Sequence, residues 1–214
     1  MRALLDSLFA AYGPQHWWPA QSVEEMMVGA ILVQNSSWTQ VERVIAQLQL
    51  HDLLSLAALR QMPAEQLWPV LRPVGFFRLK TRRLKALADF MAQYDDRPEQ
   101  LFQQETQRLR QSLLQVNGIG KETADAILCY GARRPLFVVD AYTKRLFYRL
   151  GRVAENASYD TIQAMVHQGL PNSAEQLGEL HALIVCHGKE HCRARPRCAL
   201  CPLHFCPAFG RLSP

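Results

Sequence analysis

With 214 residues, 49% of them hydrophobic and 20% charged, the chain has apolar content for a substantial core and too little charge to remain disordered. Lys and Arg outnumber Asp and Glu by 24 to 19, and the net charge of +5 suits a polyanionic partner without singling one out. No apolar run approaches the roughly 20 residues needed to span a bilayer, and Asp6 interrupts an N-terminal stretch that has no small-residue cleavage site, so a cytoplasmic monomer with no membrane partner is expected.

The pattern is helical nearly throughout, and the fold class it predicts is all-α. Ser22 with Glu25 three residues later forms a capping box, opening a helix that carries Met26, Met27, Ala30 and Ile31. Beyond Gln34-Asn35-Ser36-Ser37, apolar residues at Val41, Val44, Ile45 and Leu48 share one face of a second helix. Short helices follow around 53–60, 64–71, 79–93 and 105–115, punctuated by Pro63, Pro69, Pro73 and Pro98. Arg78, Lys80, Arg82, Arg83 and Lys85 bring five positive charges into eight residues, which reads as a solvated helix face or as a track for a phosphate backbone. Leu136-Phe-Val-Val139 is strand-like but too short to imply a sheet. Asp140 caps a helix that stops at Gly151, Ser173 begins another that runs to about His187, and a cysteine-bearing loop follows.

Residues 105–131 read as helix, Val116-Asn117-Gly118-Ile119-Gly120-Lys121, helix. Two glycines around one aliphatic residue permit a tight turn, because each can take backbone angles closed to other residues. Ile119 can plug the gap between the helices. The amides of the turn, with Lys121 and Thr123 at the start of the next helix, then face outward, where they can grip a phosphate. A plain helical hairpin would share this pattern, but here an Asp follows 20 residues beyond Gly120, after an apolar stretch.

The segment GIGKETADAILCY, followed by FVVDAYTKRLFYRLG, resembles the hairpin and catalytic-aspartate region of the endonuclease III superfamily of helix-hairpin-helix DNA glycosylases, and the resemblance runs from about residue 16 to 206. It implies a bundle of about six helices over 16–133 and a second helical domain from 1–15 and 134–214, with double-stranded DNA bound in a cleft between them and the damaged nucleotide flipped out. It also implies a monovalent cation at the hairpin and a nucleoid-associated location. Asp140 falls where that family keeps its catalytic carboxylate, a role compatible with capping a helix. Cleaving an N-glycosidic bond builds positive charge on the sugar, which an oriented carboxylate stabilises.

Bifunctional members of the family carry a lysine next but one after the second glycine, which attacks the sugar and forms an imine. This chain has Lys121 one position early and Glu122 at the nucleophile's place. A carboxylate cannot form an imine, so a monofunctional enzyme without lyase activity is expected. The competing readings are a bifunctional glycosylase and lyase on oxidised pyrimidines, a uracil or thymine mismatch glycosylase, and a DNA-binding module without catalysis.

Trp17-Trp18-Pro19 and Gln34-Asn35-Ser36-Ser37-Trp38 resemble the 3-methyladenine DNA glycosylases of the same superfamily. That likeness implies a base pocket from Trp18 and Trp38, with Trp17 beside them, and Gln34 and Asn35 facing the duplex, Gln34 filling the space the base leaves. A purine alkylated on a ring nitrogen is cationic, and indole faces attract cations.

Cys192, Cys198, Cys201 and Cys206 lie within fifteen residues. In a reducing compartment such spacing reads as metal ligation before it reads as disulfides, and either zinc or an iron–sulfur cluster would suit four thiolates. Endonuclease III relatives carry a [4Fe–4S] cluster after the same His-Gly-basic element, here His187-Gly188-Lys189, so the resemblance implies that cluster. The central two-residue gap is kept, and each outer gap is one residue shorter than in those relatives. A bound cluster would pin Arg193, Arg195 and Arg197 where they can meet phosphates.

Overall fold

In the computed structural model, residues 1–208 are described. Twelve α-helices carry them: α1 (Arg2–Tyr12), α2 (Val23–Leu32), α3 (Trp38–Leu50), α4 (Leu56–Gln61), α5 (Ala64–Leu71), α6 (Phe77–Met91), α7 (Pro98–Leu101), α8 (Thr106–Leu114), α9 (Lys121–Ala126), α10 (Ala141–Arg149), α11 (Tyr159–Gly169) and α12 (Ala174–Glu190). No strand occurs among the described residues, so the fold is all-α as the periodicity predicts. None of these helices is long and apolar enough to cross a membrane.

The chain divides into two compact units, one of residues 18–132 and one of residues 1–17 with 133 onward. Residues 209–214, which belong to the second expected domain, lie outside the described residues.

The unit of residues 18–132 is built on α2, which buries every position from Glu25 to Leu32. Its start follows the capping logic: the Ser22 hydroxyl accepts the Glu25 amide at 3.1 Å, and the Glu25 carboxylate reaches back to the Gln21 amide at 3.2 Å. Helix α3 buries Val41, Val44, Ile45 and Leu48, the face its spacing predicts. Pro69 does not end α5, which runs two residues further before a 3₁₀ turn at Arg72–Val74. After α9 the chain passes into a single π turn, Ile127–Gly131, a form that re-aims side chains relative to the preceding helix.

In the other unit, α1, α10, α11 and α12 close around Leu4, Leu8, Phe137, Phe147, Ile162, Leu180 and Ile184. Neither α1 nor α11 is foreseen by the sequence reading. Helix α1 has no side-chain cap at Met1 to announce it, whereas Ser158 does cap α11 by accepting the Thr161 amide at 3.1 Å. The strand-like run Leu136–Val139 takes no regular secondary structure and pairs with no strand among the described residues. Side chains of α11 satisfy its backbone instead: Gln163 donates to the Phe137 carbonyl at 2.7 Å, and the Val139 amide donates to the Tyr159 hydroxyl at 3.3 Å.

Candidate active site

The hairpin between α8 and α9 is held from beneath by Arg110, whose guanidinium grips the fully buried Asp125 carboxylate at 2.6 and 3.0 Å. Ile119 is buried at the turn as expected. The two glycines differ, and only one of them uses the freedom the sequence offers. Gly118 has φ +89°, and a Cβ there would lie 2.2 Å from the Arg83 Cγ. Gly120 has φ −93°, open to any residue, and nothing lies within 4 Å of where its Cβ would be. The open side of the turn is therefore at Gly120, with Lys121 exposed beside it.

Gln34 is fastened to this hairpin. Its Nε2 donates to the Gly118 carbonyl at 3.0 Å and to the Thr123 hydroxyl at 2.9 Å, and its Oε1 accepts from Arg83. Thr123 is thus buried and engaged with Gln34, not turned outward to a phosphate. The Gly118 carbonyl is likewise engaged, and the Val116 carbonyl accepts the Ile119 amide, so a cation at the hairpin would have to share them. Asn35 is exposed with φ +53°, a conformation that Asn tolerates better than most residues.

The charged run in α6 is not one solvated face. Arg78 and Arg82 are exposed, with Arg78 over the Trp68 ring at 4.8 Å, while Lys85 donates to the Arg60 carbonyl at 2.9 Å. Lys80 is 1% exposed. Its ammonium donates to the Leu32 carbonyl at 2.8 Å, to the Val74 carbonyl at 2.7 Å and to the Ser36 hydroxyl, which in turn donates to the Val74 carbonyl. Burial, and then the Arg83 charge, push the Lys80 pKa down to about 8; its three acceptors favour the charged form. Just past Val74, Phe76 is 69% exposed and has φ +44°. A bulky side chain held in left-handed backbone and shown to solvent is a strained feature that sequence reading passes over.

Trp18 and Trp38 do come together, with ring centroids 5.3 Å apart. Their planes meet at 89°, however, so they touch edge to face and leave no parallel slot between them. This is the arrangement that two aromatic rings in direct contact prefer. Trp38 is held there by its indole N–H, which donates to Glu42 at 2.9 Å. Gly29 on α2 gives Trp18 room, since a Cβ there would stand 3.3 Å from the indole nitrogen. Tyr130, delivered by the π turn, adds a third ring 5.7 Å from Trp18. Trp17 is half-buried and belongs to the other unit.

In that other unit Asp140 caps α10 and is 9% exposed. One carboxyl oxygen accepts the Thr143 amide at 2.7 Å, and the other lies 3.7 Å from His181 Nε2 on α12. Burial is the largest influence on this carboxyl and pushes its pKa up. His181 and the Thr143 hydrogen bonding together outweigh it, so Asp140 sits below the ordinary carboxylate range. It is an ionised, oriented carboxylate at neutral pH.

Helix α10 also clamps the cysteine loop. Arg145 donates to the Cys192 carbonyl at 2.6 Å, and Arg149 donates to the Arg193 and Ala194 carbonyls at 2.6 and 3.0 Å. Cys192, Cys198, Cys201 and Cys206 are all free thiols, and all four line one pocket together with Arg149 and His187. Four thiolates around a single zinc would sit about 3.8 Å apart, as the Zn–S distance requires. Among the described residues no three His, Cys, Asp or Glu side chains converge closely enough to hold a single ion. Arg193, Arg195 and Arg197 are exposed on the same loop.

These features can be set beside known proteins. A Methanocaldococcus jannaschii protein provisionally named a DNA repair glycosylase is 46% identical over 198 residues, covering 91% of this chain and 90% of its own. The H. pylori 3-methyladenine DNA glycosylase, solved bound to 1,N6-ethenoadenine, is 29% identical with a TM-score of 0.75, over 88% of this chain and 95% of that one. Endonuclease III in a non-covalent DNA complex shares the fold, with a TM-score of 0.83 at 22% identity over 98% of this chain and 95% of that one. The family match spans residues 28–172, from the buried α2 through the hairpin and Asp140 to the end of α11, and by it the chain belongs to the HhH-GPD superfamily of base excision DNA repair proteins.

Proposed function

We propose that the protein is a monofunctional DNA glycosylase that flips an alkylated purine, of the 3-methyladenine type, out of double-stranded DNA and hydrolyses its N-glycosidic bond. The observation that carries this reading is Asp140: a buried carboxylate, ionised and aimed by Thr143 and His181, in a chain of a base excision repair family. The family supports a glycosylase in general terms. The likeness to the 3-methyladenine enzyme, with the aromatic group around Trp18, supports the choice of base.

The chemistry follows from charge. As the C1′–N bond breaks, its electron pair leaves with the base and positive charge builds on the sugar. Asp140 stabilises that charge and takes the proton of the water that adds to C1′. A cationic base departs readily, so little more than this electrostatic help is needed, and Glu122 in place of an amine leaves no group at that position to form an imine. Trp18, Trp38 and Tyr130 offer indole and phenol faces to the cation, an attraction worth ~2 kcal/mol when desolvated. Trp38 must first swing from its edge-on position, exchanging its bond to Glu42 for a stacked base. Trp17 flanks this pocket by sequence.

Flipping leaves a gap that must be filled. Gln34, Asn35 and the exposed Phe76 are the residues to fill it, Phe76 as the apolar wedge. The Gly120 amide, Lys121 and the loop arginines contact phosphate. Cys192, Cys198, Cys201 and Cys206 would hold a [4Fe–4S] cluster, which supplies a covalent staple for the loop.

Base release measured on duplexes containing 3-methyladenine, 7-methylguanine, uracil or thymine glycol tests the reading. Release of the two methylated purines with the strand left intact supports it. Strand cleavage, or activity confined to uracil or thymine glycol, overturns it.

A further inference from the structure

Two turns in the unit of residues 18–132 hold left-handed residues and face solvent: Asn35 in the turn after α2, and Phe76 in the turn before α6. Such conformations persist only where the surroundings enforce them. A single buried ammonium bonds to the backbone or side chains on either side of both. Lys80 spends all three of its donors on the two turns and the end of α2 that leads into the first, and its acceptors bracket the functional residues. Leu32 lies two positions before Gln34, Ser36 two positions after it, and Val74 two positions before Phe76. Ser36 closes the triangle by donating to the Val74 carbonyl. A lysine is almost never fully buried unless every donor is matched. Here the matching is complete: Ser36 and Val74 belong to the two turns, and Leu32 is the last residue of the helix that enters the first.

We propose that Lys80 is a positioning residue for base flipping: it welds the Gln34–Ser37 turn to the Val74–Phe76 turn, so that Gln34 and Phe76 enter the duplex as one rigid pair. The inference rests on the wedge roles proposed above. Gln34 can then release its bonds to the hairpin without its turn losing shape, because that turn is fixed through the backbone carbonyl and the serine on either side. A lone flexible finger would have to be ordered during each insertion; a welded pair is ordered beforehand.

The full-length protein carrying Lys80→Met, and separately Ser36→Ala, tests this. Each is compared with the wild type on a methylated purine in a paired duplex and on the same lesion opposite an abasic gap, where extrusion needs no wedge. Fluorescence of a 2-aminopurine beside the lesion reads extrusion directly. The expected result is a loss of about tenfold or more for Lys80→Met on the paired duplex, and of at most about twofold on the gapped one, with the extrusion signal reduced in parallel. Ser36→Ala keeps the ammonium and should lose less, on the paired duplex only. If Lys80→Met does not fold, Ser36→Ala decides: a loss confined to the paired duplex supports the weld. Equal losses on both substrates, or none on the paired one, overturn it. A wild type inactive even on the gapped lesion would instead sink the proposed function itself.

Discussion

His181 Nε2 lies 3.7 Å from Asp140 Oδ2, while the other oxygen of the same carboxyl takes the Thr143 amide at 2.7 Å. The three groups come from two helices, α10 and α12, that pack in the core of one compact unit. Asp140 is therefore both a helix cap and a charge kept ionised against its burial. The capping role fixes its rotamer, and the charge is what the proposed reaction would draw on.

Asp140→Asn keeps the size of the side chain and an oxygen for the Thr143 amide, but removes the negative charge. We expect DNA affinity to stay within about threefold and single-turnover base release to fall by about 10²–10³, the scale of losing one preorganised electrostatic partner. Binding by fluorescence anisotropy and release by alkaline cleavage of the abasic product separate the two effects. Unchanged release would remove Asp140 from the chemistry.

The pH profile gives a second check on the same carboxyl. Its pKa is lowered in the folded protein, so its contribution to stability is fully present above the ordinary Asp value and is lost as pH falls through the lowered one. Base release should stay flat from neutrality down to the ordinary carboxylate range near ~4. His181→Phe leaves burial opposed by Thr143 alone, so the acidic limb should move to higher pH. A limb that stays in place would show that His181 does not bias Asp140.

Glu122 is exposed in the first turn of α9. Borohydride should trap no covalent adduct between the wild-type protein and damaged DNA, since a carboxylate supplies no amine at that position. Glu122→Lys restores one, and a trapped adduct is expected in that variant. An adduct with the wild type would instead assign lyase chemistry to Lys121.

The hairpin glycines should behave differently from each other. Gly118→Ala forces a Cβ into left-handed backbone and against the Arg83 stem, and should cost about 1–3 kcal/mol in urea denaturation. Gly120→Ala meets neither obstacle, so its stability should hold within about 0.5 kcal/mol. Its added methyl group stands on the open side of the turn, and the effect expected there is weaker DNA binding. Equal destabilisation by the two substitutions would refute the asymmetry.

That asymmetry marks where the sequence is legible and where it is not. A glycine pair between helices announces a hairpin, but not which of the two takes the positive φ, nor that Arg83, 35 residues away in the chain, lies against it. Asp140 is readable because its cap, its apolar approach and its distance from the hairpin are all local. His181 and Tyr130 are not, since packing of α12 and the π turn after α9 bring them in. Lys80 departs from its charged neighbours, and the sequence holds a signal for it: it lies in helical register with Leu84, Leu87 and Met91, the buried face of α6. Charge suggested the surface, and periodicity, which pointed inward, was the better guide.

The cysteine loop supports the last prediction. Arg145 and Arg149 hold its backbone to α10, the helix that Asp140 caps, so loosening the loop removes packing from the far end of that helix. Purified under reducing conditions without oxygen, the protein should be brown, absorb in the visible blue, and contain iron and sulfide in equal amounts near four per chain, as a [4Fe–4S] centre demands. Cys201 is the buried thiol of the loop's central pair, and Cys201→Ser should abolish the colour. Because ligand binding is coupled to folding, the melting temperature should drop by at least about 5 °C, more than 1 kcal/mol produces in a chain of this size. Base release measured well below the new melting temperature should decline far less than in Asp140→Asn, since the loop shapes the protein and does not touch the reacting bond. Zinc in place of iron, or full colour retained in Cys201→Ser, would overturn the assignment of these four thiols.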